Sequence, residues 1–176
     1  MGLMDILQHY ANPGATGDAN AAPGHFDEVA RSAPAEAVGN GVAEAFRSDS
    51  TPPFGQMVAQ LFGQSNPQQR VRLLNQLLAS VGPGVLASLG GGALAKMLGQ
   101  QGNSAGAAPV QVSPAQAQQL TPDQVDQLAT QAHKHDPGVI DKVGGFYSAH
   151  PELVKTLGSA ALAIALASIA GRMRSR

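Results

Sequence analysis

The chain has 176 residues, of which 13% are charged and 4% aromatic, with a formal net charge of −1 and neither Trp nor Cys. That length holds one ordinary domain or two small ones, and the lack of Cys excludes disulfides, thiolate zinc sites and cysteine nucleophiles. A near-neutral chain whose basic residues are scattered until the last few positions also argues against a nucleic-acid partner.

The first residues, Met1-Gly2-Leu3-Met4-Asp5-Ile6-Leu7, have no cationic start and no long apolar run, so no secretory signal is expected. The expected location is the cytoplasm, with association with the inner membrane left open. Residues 2–11 predict a short helix with Leu3, Ile6, Leu7 and Tyr10 on one side, broken at Asn12-Pro13-Gly14. Pro13 to Gly24 reads as a linker of small and polar residues. Helical spacing resumes at Phe26, Val29 and Ala30 and again at Val38, Val42, Ala45 and Phe46, with Ala33-Pro34 as the joint.

After Ser50-Thr51-Pro52-Pro53, a stripe of Phe54, Val58, Leu61 and Phe62 predicts the next helix. Asn66-Pro67 supplies an N-cap with Pro at the first helical position, ahead of Val71, Leu74, Leu77, Leu78 and Val81. Gly82-Pro83 should end that helix. Val85, Leu86, Leu89, Leu94, Met97 and Leu98 continue the pattern across Gly90-Gly91-Gly92, where a break is expected because each Gly costs roughly 1 kcal/mol against Ala in a helix.

Residues 100–112 offer little to bury and predict a second, larger linker. Beyond it, Ser113-Pro114 and Thr121-Pro122 are N-cap signals, and Thr121 with Gln124 forms a capping box. Val125, Leu128, Ala129 and Ala132 make the inner face of the helix that follows, which Asp136-Pro137-Gly138 terminates. Val139, Ile140, Val143, Phe146 and Tyr147 predict one more helix as far as His150-Pro151. A last helix starts at Pro151. No segment alternates with period two, so the fold class is all-α. The expected organisation is a short helix and flexible linker over 1–25, an N-terminal helical module over 26–99, a linker over 100–112, and a C-terminal module over 113–176.

The opening Met1-Gly2-Leu3-Met4-Asp5-Ile6-Leu7, with the Gln- and Gly-rich helical pieces behind it, resembles the start of small bacterial proteins of the YidB-like family. His135-Asp136-Pro137-Gly138-Val139-Ile140-Asp141 and Gly145 to Lys155 are similar to segments of proteobacterial proteins with no assigned activity. The resemblance implies a bacterial origin and a helical fold, and it carries over no catalytic residue.

Candidate chemistry is sparse. His133, Lys134, His135 and Asp136 are the densest group of potential metal ligands, but two His residues two positions apart on a helix point about 200° away from each other. A metal- or small-ligand-dependent enzyme built on His133, His135 and Asp136 is the alternative reading of function. Gly90 to Lys96 lacks the Lys-Ser/Thr ending of a phosphate loop, and Ser65, Ser80, Ser88 and Ser148 sit in no Gly-x-Ser-x-Gly elbow. The expected assignment is therefore a non-enzymatic protein with no catalytic residue, no cofactor and no metal.

The feature that does point to function is the C-terminal run. Between Lys155 and Arg172 there is no charge, and Leu153 to Gly171 as one helix would measure roughly 28 Å, close to the ~30 Å bilayer core. On a helical wheel Leu162, Leu166, Ile169 and Met173 form a large-residue face, and Ser159, Ala163, Ala167 and Ala170 a small-residue face suited to close helix approach. Ser159, Leu162, Ala163, Leu166, Ala167, Ile169 and Ala170 are accordingly the expected interaction residues. The expected partners are a second copy, another helical protein or a membrane.

Overall fold

The computed structural model describes residues 2–11, 20–81 and 111–175, and every regular element among them is helical. In chain order these are α1 (Leu3–Ala11), α2 (Ala22–Ser32), α3 (Ala35–Arg47), α4 (Phe54–Gln64), α5 (Pro67–Ser80), α6 (Pro114–Gln119), α7 (Pro122–His135), α8 (Val139–Ser148), α9 (Pro151–Val154), a 3₁₀ turn (Lys155–Leu157) and α10 (Ser159–Arg174). The expected break at Gly90-Gly91-Gly92 and residues 100–110 of the expected linker lie outside the described residues, as does most of the 13–24 stretch.

The local signals act where the sequence places them. Asn66 Oδ1 accepts from the Gln69 amide at 2.9 Å while the Gln69 side chain accepts from the Asn66 amide at 2.9 Å, which satisfies two donors that the first turn of α5 would leave orphaned. The same reciprocal box starts α6 with Ser113 and Gln116 and α7 with Thr121 and Gln124, each followed by Pro at the first helical position.

Contacts divide the chain into two compact units, Met1–Pro53 with Ile140–Arg176, and Phe54–Val139. This differs from the sequential partition at 100–112. The reason is where the last helix finds its apolar partners: α10 packs on α3, α1 and α2, so the two ends of the chain share one core. In this unit Leu162, Leu166 and Ile169 of α10 are buried, together with Ile6, Leu7 and Tyr10 of α1, Phe26 and Val29 of α2, and Val38 and Phe46 of α3.

Helix α3 is approached at backbone distance on two sides. A Cβ on Gly41 would fall 2.6 Å from Ile169 Cγ1 and 2.7 Å from the Ala165 carbonyl oxygen of α10, and one on Gly144 of α8 would fall 2.6 Å from the Gly39 carbonyl oxygen. Ion pairs line the rim of these crossings. Arg47 bonds Asp141 at 2.7 Å and reaches Glu44 at 3.4 Å; both pairs are solvent-exposed and contribute about 0–1 kcal/mol each.

The expected continuous helix from Pro151 to the C-terminus is interrupted. α9 tightens into the 3₁₀ turn, and Gly158 then adopts φ 93 and ψ 162, a backbone region essentially confined to glycine, before α10 begins. Leu153, Val154 and Leu157 are buried ahead of that break.

In the second unit α7 packs along α4, and α5 packs on α6 and α7. Its buried side chains include Met57, Val58, Leu61 and Phe62 of α4, Leu73, Leu74 and Leu77 of α5, and Val125, Leu128, Ala129 and Ala132 of α7. Val71, expected in the α5 stripe, is only half-buried, and Leu73 takes the inner position. The end of α4 is held by Arg70. Its guanidinium donates to the carbonyl oxygens of Phe62, Ser65 and Gly63, each at 3.0 Å, and lies 4.9 Å over the Phe62 ring.

Candidate functional site

Helix α10 is uncharged all round until its last turn, with Ser159 and Ser168 its only polar side chains before Arg172, so the two sides of the helix differ more in what covers them than in charge. Ala161, Leu162, Ala165, Leu166, Ile169 and Ala170 are buried. The other side carries Ala160, Ala163, Ile164, Ala167, Ser168 and Gly171, of which Ala160, Ala167 and Gly171 are exposed and the rest half-buried. The exposed side therefore has no charge along its length and only one large side chain, until Arg172 and Arg174 close it.

The expected interaction residues separate on this geometry. Leu162, Leu166, Ile169 and Ala170 are spent inside the chain's own core, because α3 and α1 supply their partners. Ser159, Ala163 and Ala167 keep some or all of their solvent exposure. α10 has 16 residues, about 24 Å at 1.5 Å per residue, and among the described residues no helix is long and apolar enough to cross a membrane. The spanning length read from Leu153 to Gly171 is lost at Gly158.

The His group is laid out as its spacing on a helix dictates. His133 sits half-buried on α7 with its ring 5.8 Å from Phe54, and its Nδ1 is enclosed with no hydrogen-bond partner among the described residues. His135 is exposed at the helix end. Asp136 turns its Oδ1 back to the Gly138 amide at 2.9 Å, a local turn that stops the helix. Asp141 is paired with Arg47, and His150 Nδ1 lies 3.4 Å from Glu152. Among the described residues no three His, Asp or Glu side chains stand close enough to hold a metal ion.

Ser65 donates to the Leu61 carbonyl at 2.7 Å, Ser80 to that of Gln76 at 3.3 Å and Ser148 to that of Gly145 at 2.7 Å, so each hydroxyl is tied back to its own helix. Ser88 and Lys96 lie outside the described residues. Val143 and Tyr147 are buried, while Phe146 is half-buried, edge-on to Tyr147 at 5.0 Å and tilted against His150 at 5.1 Å.

No family model, curated protein or solved structure matches this chain.

Two features escaped the sequence. The first is the break at Gly158, where one Gly among many small residues carried no turn partner such as Pro or Asn to mark it. The second is a groove of about 440 Å³ between α1 and the last turn of α10, lined by Met4, Leu7, Gln8, Ala170, Met173 and Arg174. Its walls lie about 165 residues apart in sequence, and only the pairing of the two chain ends brings them together.

Proposed function

We propose that this protein is non-enzymatic and works by helix–helix contact, using the open side of α10 as the surface that meets a second copy or another helical protein. The observation that carries this reading is the charge-free side of α10 bearing Ala160, Ala163, Ala167 and Gly171. Small side chains let a second helix approach closely, which compensates in dispersion contacts for the lack of large apolar groups. An ordinary solvated helix face carries charged residues at such positions. The expected cytoplasmic location, at or near the inner membrane, and the resemblance of the first residues to YidB-like proteins are compatible with this reading. Contact with lipid headgroups is the second venue it allows, through the same helix lying at an interface rather than crossing it.

The chain has no cysteine, so Ala167→Cys introduces a unique thiol. Under mild oxidation this variant should form a disulfide-linked dimer if copies associate across α10, while Gln68→Cys, on the exposed polar side of α5, should not. Equal cross-linking from both positions, or from neither, would contradict self-association through this face.

A further inference from the structure

A different surface lies at the C-terminal end of α10, where its last turn and α1 line a groove. Met4 is 62% exposed, the single exposed large hydrophobic among the described residues. It lines the groove together with the buried Leu7 and Ala170, the half-buried Met173 and the exposed Gln8 and Arg174. Among the described residues Arg174 makes no ion pair, and no carboxylate lines this groove. On the other side of Met173 a second depression of about 380 Å³ is lined by Glu36, Ala37, Asn40, Gly171, Arg172, Met173 and Ser175. Arg172 there is only 4.0 Å from Glu44 at its nearest.

We infer that this groove binds a short amphipathic helix of another protein, which seats a large apolar side chain on Leu7 and Ala170 between Met4 and Met173 and places a carboxylate on Arg174. Two observations select that occupant. The groove is concave, so an inserted side chain covers its floor, whereas a bilayer surface, flat on this scale, would touch Met4 and leave the floor uncovered. Among the described residues its charge is a single cation with no acid in the lining, so the complementary segment carries an acidic residue next to its apolar anchor. Methionine suits the task because its unbranched, polarizable side chain repacks around anchors of different shape. The surface is separate from the open side of α10, so failure of either proposal leaves the other standing.

The test uses the full chain labelled with ¹³C at the methionine methyls, with buried Met57 as an internal control for the fold. The probe is a designed helical peptide with a Leu stripe flanked by Glu, and its counterpart carries Lys in place of Glu. Titration with the acidic peptide should shift the Met4 and Met173 methyls and leave Met57 in place. Arg174→Glu should weaken the acidic peptide by about tenfold without moving Met57. The lysine peptide should bind more weakly than the acidic one to the unmodified chain. No shift of Met4 and Met173, or undiminished binding by Arg174→Glu, would overturn the inference. So would the same shifts produced by phosphatidylglycerol vesicles or by raising the protein concentration with no peptide present, because the groove would then belong to lipid or to a second copy.

Discussion

Two neighbouring glycines on α8 should respond to the same substitution with opposite signs. A methyl on Gly144 meets the Gly39 carbonyl oxygen at 2.6 Å and Ala43 Cβ at 3.2 Å, whereas a methyl on Gly145 meets nothing within 4 Å. Gly144→Ala must push α8 off α3 and should cost about 1–3 kcal/mol, as overpacking of a tight contact does. Gly145→Ala should stabilise by about 0.5–1 kcal/mol, through helix propensity and a less flexible unfolded chain. Urea denaturation of both variants checks the pair, and destabilisation of similar size in the two would show that the crossing is looser than described. Arg70 is the other residue with a large expected effect. It closes three carbonyls at the end of α4, and bonds from a charged donor contribute about 1.5–3 kcal/mol. Arg70→Ala should lower the unfolding midpoint, and Arg70→Lys should recover only part of the loss because an ammonium cannot reproduce the planar fork.

At the scale of elements, the sequence showed most of what the structure contains. The Pro-initiated starts at Asn66, Ser113 and Thr121, the joint at Ala33-Pro34 and the stop at Asp136-Pro137-Gly138 are local events, set by side chains within a few residues of each other. The break at Gly158 is not local in this sense. A single Gly costs a helix only about 1 kcal/mol, too little to mark a stop by itself, and the break stands between the buried Leu153, Val154 and Leu157 and a helix that lies along α3. Gly158→Ala should therefore destabilise the first unit by about 1–3 kcal/mol, since φ 93 with ψ 162 is strained for any residue with a Cβ. Thermal unfolding followed by circular dichroism measures this. An unchanged midpoint would mean that α9 and α10 can join into the single helix that the composition favours.

At the scale of the molecule, the division into units was not legible because it depends on contacts between residues far apart in sequence. Local composition marked 100–112 as a boundary, but apolar periodicity alone does not say which stripe meets which, and α10 meets α1, α2 and α3. The same limit applies to the candidate site. The helical wheel separated a large-residue face from a small-residue face, and it could not tell that the chain itself would cover Leu162, Leu166 and Ile169 of the first, with Ala170, and leave Met173 half-buried and Ala163 and Ala167 outward. The native mass of the full chain tests most directly whether this remaining side of α10 is an assembly surface. Size-exclusion chromatography with light scattering, without detergent, should give a multiple of the 17.9 kDa chain mass. Ala167→Glu, which places a charge at the exposed centre of the face, should return the protein to a 17.9 kDa monomer with unchanged helicity. A monomer for the unmodified chain, or an oligomer indifferent to Ala167→Glu, would contradict self-association through α10.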